Sequence, residues 1–505
     1  MSDAASGELG RAAGVAGGPG GSGRRGGTGL PGMAGGAGLP GVPGGPGLLG
    51  MPGALGAQDL AGVPGVPGRR GVPGEIAHGV LAGLDEIAGV GADAARGGFS
   101  RHLWNGADLE LRAWFTERAA AVGLDVEVDR NGNLWAWWGA PGPGAVVTGS
   151  HLDSVPGGGA YDGPLGVVSA LHAVGRLRAS GFRPSKPFAV VVFAEEEGSR
   201  FGVACLGSRL MTGALDPARA RALRDASGVT LAEAGAAVGF DVAGLGADPA
   251  ALERIGLFVE LHVEQGRGLI DLGAPVALAS SVLAHGRWRL EFRGQGNHAG
   301  TTLMGDRHDP MIAAARAVEA VQAAALAVPD ARATVGRIEA VPGGTNVIAS
   351  AVRVWLDARA DNDDDTRRLV ADIERRAHAT SFVEESWSGR VEFDAELRER
   401  LRALLAVDAT RGVGAGGAAG APGALGVADP VGGAPRAASV ADAPRIPVLA
   451  TGAGHDAGVL AGVVPTAMLF VRNPTGVSHA PEEFAELADC LAGTDALESV
   501  LRGLL

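Results

Sequence analysis

Residues 144–202, GAVVTGSHLDSVPGGGAYDGPLGVVSALHAVGRLRASGFRPSKPFAVVVFAEEEGSRFG, carry the reading that decides the fold. GAVVTGS (144–150) reads as an apolar strand, GPLGVVSALHAVGRLRASG (163–181) as a helix ending at Gly181, and KPFAVVVFA (186–194) as a buried strand. IGLFVELHVEQG (255–266) is another strand of the same kind. Strands alternating with helices in this way specify an α/β domain built on a largely parallel sheet. Upstream, residues 108–122 read as an amphipathic helix. LDVEVDRNGNLWAWWG (124–139) then reads as a hairpin turning at Asn131-Gly132.

Outward from this core the chain changes character. Between about residues 276 and 395, GRWRLEFRGQG alternates as a strand, and helical patterns begin at Asp309 and Asp363 with two strands between them. The order β-α-β-β-α-β fits a small ferredoxin-like module inserted into the larger domain. The expected organisation is therefore a larger α/β domain over 76–275, the inserted module over 276–395, and the rest of the larger domain over 396–505. Residues 410–444 are rich in Gly, Ala and Pro and read as a disordered insert. Residues 1–75 are unlike the rest. From Gly14 to Gly74 glycine stands at every third position, with Asp59 the one interruption. That period is the collagen pattern, but a short run of it cannot bury a core.

Of the 505 residues, 46% are hydrophobic, which is ample for a core, and the formal charge of −13 comes with no basic stripe, which argues against a nucleic-acid partner. Two cysteines far apart, Cys205 and Cys490, argue against a disulfide framework and for a reducing compartment. No apolar run approaches the ~20 residues of a membrane span. The expectation is a cytoplasmic protein with no membrane partner.

Four segments share one design, an apolar strand running out into metal-capable side chains. They supply His151, Asp153 and Asp162; Glu195 and Glu196; His262, Glu264 and Gln265; and His479 with Glu482. The carboxyl ends of parallel strands line one crevice, so residues distant in sequence meet there. Histidines and carboxylates converging at one place suit a pair of divalent cations with mixed nitrogen and oxygen ligands. A lone histidine at a strand end is ordinarily a structural hydrogen-bonder. A triple carboxylate directly after a buried strand is hard to explain as surface.

At these residues the chain resembles the allantoate amidohydrolases and N-carbamoyl-L-amino-acid hydrolases, a branch of the aminoacylase and carboxypeptidase-G-like metallopeptidase superfamily. GSHLDSV, YDGPLG, EEEGSRFG, ELHVEQG, NHAGTT, GAGHDA and SHAPEE occur in family order from about Gly97 to the C-terminus. The resemblance implies two divalent metal ions per subunit, zinc or manganese, with cobalt or nickel as further options. Their ligands would be His151, Asp162 as the bridge, Glu196, His262 and His479. It implies Glu195 as general base, Asp153 orienting the His151 imidazole, and Gln265, His298, Asn346, Arg359 and Gly454 on the substrate side. His298 would polarise the carbonyl, Arg359 and Asn346 would hold a carboxylate, and the inserted module would form a homodimer and act as a lid. The chain departs from the family pattern at Ala194, Leu303 and Ala349, none of them a ligand position. The reaction implied is hydrolysis of a linear C–N bond in a small carboxylated ureide, allantoate first. N-Carbamoyl-L-amino acids or β-ureidopropionate are the alternative, and a collagen-like structural protein with a vestigial hydrolase is a third reading.

Overall fold

A computed structural model describes residues 77–415 and 446–505. The period-three glycine run and residues 416–444 of the Gly/Ala/Pro-rich stretch lie outside them. The helix Ala395–Ala415 runs past residue 410, the start of the expected insert.

The strands β1 (Asp125–Val128), β2 (Leu134–Trp138), β3 (Ala145–His151), β4 (Phe188–Phe193), β5 (Ile255–Val263) and β6 (Val276–Val282) lie in the larger sheet. They are followed by β7 (Ala284–Arg293), β8 (Asn297–His298), β9 (Arg332–Val341), β10 (Val347–Ile348), β11 (Ala351–Ala360) and β12 (Ser381–Ser388). The last three are β13 (Val391–Glu392), β14 (Val448–Thr451) and β15 (Thr466–Val471). The larger sheet runs β1-β2-β4-β3-β5-β15-β6-β13, with β14 beside β6. Its centre, β4-β3-β5-β15, is parallel throughout, and β1, β2, β6 and β13 pair antiparallel at the flanks.

Both faces of that centre are covered, which is why its strands read as continuous apolar runs. Along β3 and β4 the side chains alternate between two cores. Val146, Val190 and Val192 pack with Leu165, Leu261 and Leu497 on one face. Val147, Val191 and Phe193 pack with Phe258 and Met468 on the other. The helix Pro164–Ala179, with Pro at its first turn and Arg176 and Arg178 in its last, and the helix Leu487–Leu504 pack against each other on the first face.

The inserted module has its own four-stranded antiparallel sheet in the order β12-β7-β11-β9. With the helices Pro310–Leu326 and Asp363–Ala377 the chain order is β-α-β-β-α-β, as the sequence pattern indicates. Leu290, Val354, Leu356 and Ile373 close its core under the helices. The other face of β11 carries Arg353, Trp355, Asp357 and Arg359, half-exposed. No helix among the described residues is long and apolar enough to cross a membrane.

Candidate metal centre and active-site cleft

The four central strands end side by side, and each delivers its polar residues at that end. His151 closes β3, Glu195–Glu197 follow β4, His262 is the penultimate residue of β5, and His479 lies in the loop after β15. Asp162 sits just ahead of the helix Pro164–Ala179 and faces all of them.

The Asp162 carboxylate has two occupied sides. Its Oδ1 lies 3.5 Å from His151 Nε2 and 3.2 Å from His262 Nε2. Its Oδ2 lies 3.5 Å from His479 Nε2, which also has Glu197 Oε2 at 3.4 Å and Gln265 Nε2 at 3.2 Å. The two triads, His151/Asp162/His262 and Asp162/Glu197/His479, each bring their ligand atoms within 4.8 Å of one another. The side chains fit a cation. His151 Nδ1 lies 3.1 Å from the Asp153 carbonyl and His262 Nδ1 2.8 Å from the Val263 carbonyl. A carbonyl only accepts, so the proton belongs on Nδ1 and the Nε2 lone pairs point inward. Those two nitrogens are 3.5 Å apart and share one carboxylate oxygen, an arrangement that needs positive charge between them. Electrostatics agree. Burial pulls the His151 imidazolium down, yet Glu196, Asp153 and Asp162 push it well above its ordinary value. Burial alone would raise the Asp162 carboxyl, and the two histidines hold it well below the carboxylate range instead.

Local structure holds these groups in place. Glu483, buried, accepts from the amides of Tyr161 and Asp162 at 3.0 and 2.9 Å, so it fixes the backbone that carries the shared carboxylate. Burial, then the Asp162 charge, pushes its carboxyl up to about 7. A Cβ on Gly163, at φ +84°, would stand 2.5 Å from the His151 ring. Asp153 accepts from the amides of Glu196 and Glu197 at 3.2 and 3.0 Å, and its Oδ1 lies 3.6 Å from His151 Nδ1. It therefore ties the turn after β4 to the end of β3, as well as flanking the imidazole.

The three consecutive glutamates have three different fates, and here the structure departs from the sequence expectation. Glu195, expected as the base, is at φ +54° with its Oε1 accepting from the amides of Arg200 and Phe201, both at 2.8 Å. Its other oxygen is buried without a hydrogen-bond partner among the described residues, and burial followed by the Asp153 charge pushes the carboxyl up to about 8. Glu196, expected as a ligand, is in neither triad. Its Oε2 is 3.8 Å from His151 Nε2 and its Oε1 is 3.3 Å from Cys205 Sγ. Glu197, which the sequence reading passed over, meets Asp162 and His479 instead. Glu483 was likewise missed in favour of its neighbour Glu482, which is exposed. The strand before EEE signals carboxylates at the site, but three identical residues in a row carry no mark of which one faces the crevice.

Beside the second triad a cleft of about 620 Å³ is lined by Gln265, His479, Asp357 and Arg359 among others. Gln265 Nε2 donates to Asp162 Oδ2 at 2.7 Å, and its Oε1 is buried without a partner among the described residues. Arg359 is held by Asp357, Nε to Oδ1 at 2.7 Å and Nη2 to Oδ2 at 3.0 Å, and its Nη1 donates to the Gly452 carbonyl. Gly452 and Ala453 line the cleft, while Gly454 is one residue beyond it. His298 and Asn346 are not brought into this lining. Both are exposed, His298 in β8 and Asn346 just ahead of its partner strand β10, where the Asn346 carbonyl accepts from the Ala299 amide at 3.0 Å.

A parallel α/β sheet whose carboxyl end gathers two carboxylate-linked histidine triads defines a hydrolase of the metallopeptidase kind. The model of peptidase family M20/M25/M40 matches residues 147–396 and 427–503, and the chain belongs to that family, whose members generally use divalent metal ions. It is a hydrolytic enzyme acting on linear amides. An N-carbamoyl-L-amino acid amidohydrolase of Geobacillus stearothermophilus is 33% identical over 82% of this chain and 95% of its own length. A ureidoglycolate hydrolase of Oryza sativa is 31% identical over 82% of each chain. An allantoate amidohydrolase of Bacillus subtilis is 31% identical over 83% of this chain and 95% of its own. The crystal structure of a hydantoinase/carbamoylase family amidase from Burkholderia vietnamiensis superposes with a TM-score of 0.71 at 27% identity, covering 86% of this chain and 99% of that one.

Proposed function

We propose that the protein hydrolyses a ureido C–N bond in a small carboxylated ureide, allantoate in the first instance, to ureidoglycine, ammonia and carbon dioxide. The observation that carries this reading is the Asp162 carboxylate presenting one oxygen to each of two histidine-containing triads next to an arginine-lined cleft. The triads would hold two divalent cations, zinc or manganese, with His151 and His262 on one, Glu197 and His479 on the other, and Asp162 between. Cations so held supply Lewis acidity toward the carbonyl and a water of lowered pKa.

The chain's own residues do the rest. Glu196 is the one buried carboxylate of the turn that is neither in a triad nor bonded to backbone amides through its carboxylate, which suits it to take the proton of the attacking water and pass it to the leaving nitrogen. Asp153 is a positioning residue, because its carboxylate fixes the Glu196 and Glu197 amides. Gln265 orients the ureido group, and Arg359 faces the substrate carboxylate. His298 and Asn346 stand at an exposed two-stranded pair outside the lining of their own cleft, which suits residues completing the site of a second subunit in a homodimer. The two free buried cysteines suit a reducing, cytoplasmic setting. N-Carbamoyl-L-amino acids are the second reading, favoured by the 33% identity with the Geobacillus protein.

Ammonia release from allantoate, N-carbamoyl-L-amino acids and β-ureidopropionate by the metal-reconstituted protein decides among these, with Glu196→Gln as control. Release from allantoate, lost in the variant, is the expected result. Turnover of only the carbamoyl compounds keeps the chemistry and changes the substrate, and no turnover of any of the three overturns the proposal.

A further inference from the structure

We infer that Arg332 is a substrate-recognition residue, forming with Arg359 a two-guanidinium carboxylate site on the wall of the cleft; this rests on the reading of that cleft as the place where a ureide binds. In the β9–β11 register Arg332 stands directly opposite Arg359. Both side chains line the same cleft as His479. Like charges directly opposite on neighbouring strands destabilise a sheet unless something negative answers them. Arg359 is answered in full by Asp357 and the Gly452 carbonyl. Arg332 is not. Among the described residues its one hydrogen bond runs from Nη1 to the Asp330 carbonyl at 3.1 Å, and no ion pair involves it.

The remaining carboxylate of the lining, Glu264, accepts from the amides of Gly268 and Leu269 at 2.6 and 2.9 Å. Arg267, also in the lining, has its own partner in Asp271 at 3.6 Å. The Arg332 guanidinium therefore brings an unanswered positive charge to the wall, with Nη1 3.8 Å from where a Cβ on Gly452 would stand. A carboxylate approaching Arg359 alone meets the Asp357 charge beside it. Seated between Arg359 and Arg332 it gains a cation that no acid among the described residues neutralises, and the planar fork can grip it by two oxygens. The ligand class is a small ureide whose carboxylate is free.

Calorimetric affinities on the metal-loaded full-length chain test this, in a Glu196→Gln background, with N-carbamoyl-L-alanine and its neutral carboxamide as probes. Arg332→Ala should weaken the acid roughly tenfold or more, the scale of a lost hydrogen bond to a charged group, and leave the carboxamide unchanged. Arg332→Lys should restore part of the loss, and added salt should shrink the difference between wild type and Arg332→Ala. Equal affinity for the acid in Arg332→Ala, equal weakening of acid and carboxamide, or a parent chain that binds the acid no better than the carboxamide would each overturn the inference. Turnover by the wild-type enzyme is measured alongside. Its absence on every ureide overturns the function itself, whereas turnover with an unchanged Arg332→Ala affinity overturns only the role of Arg332.

Discussion

Three adjacent glutamates show how finely the turn after β4 sorts its side chains. Glu195 carries a positive φ and spends one oxygen on two amides, so its carboxylate serves the turn itself. Glutamine there keeps the acceptor oxygen and the neutral state that burial already favours for this carboxyl below about pH 8. Glu195→Gln should keep activity within about fivefold, since removing a group outside the reacting atoms costs little transition-state stabilisation. Glu196→Gln should lower kcat by roughly 10²–10⁴, the usual worth of a general base. Glu197→Gln should instead weaken metal binding, seen as more divalent ion needed for half-maximal activity and less retained on dialysis. If Glu195→Gln were the inactive variant, the assignment of Glu196 as base would be wrong. That His151, Asp162, His262 and His479 come together was legible in the sequence, because the segments carrying them each follow an apolar strand. Which of the three glutamates meets Asp162 and His479 was not, because the turn that sorts them takes a positive φ at Glu195 that no residue type announces.

At the scale of elements, the strand ends were legible because a buried strand leaves few ways to read an apolar run. The connections were less so. The hairpin between β1 and β2 is expected from the sequence to turn at Asn131-Gly132. Gly132 does take φ +85°, but the loop is organised by Asp129. Its Oδ1 accepts from the amides of Asn131 and Asn133, and its Oδ2 from the Asn133 side chain and the Trp135 indole. Hydrophobic period cannot detect a loop wrapped around one carboxylate. The join between β3 and the helix Pro164–Ala179 depends on a glycine in the same way. Gly163 has φ +84°, and a methyl group there would meet the His151 ring at 2.5 Å. Gly163→Ala should cost about 1–3 kcal/mol from the strained backbone alone. Because the clash is with an imidazole of the site, it should also lower metal affinity, while an alanine at exposed Gly181, which meets nothing within 4 Å, should leave metal affinity alone. Denaturant melts and metal titrations of the two variants separate strain from displacement of the histidine.

On the scale of the whole molecule, the topology collects buried acids at one end of the parallel sheet, and this makes stability depend on what neutralises them. Burial, with the Asp162 charge, lifts Glu483 from 4.5 to about 7, and burial, with the Asp153 charge, lifts Glu195 from 4.5 to about 8. An acid whose folded pKa is raised binds its proton more tightly folded than unfolded. Its stabilisation is present in full below the unfolded value and is lost as pH rises through the folded one. Protein stripped of divalent ions should therefore melt at progressively lower temperature between about pH 5 and pH 8. Restoring the cations supplies the positive charge that protons supplied at low pH, and their ligands must be deprotonated to bind, so the gain in Tm on adding metal should widen over the same interval. At 100-fold excess over Kd the gain corresponds to about 2.7 kcal/mol, or several degrees for a chain of this size. Scanning calorimetry of the stripped and reconstituted protein across that range would show the two curves diverging with pH. Parallel curves would mean that the acids at the strand ends are neutralised by neighbouring histidines alone, and that the triads do not need a cation to fold around.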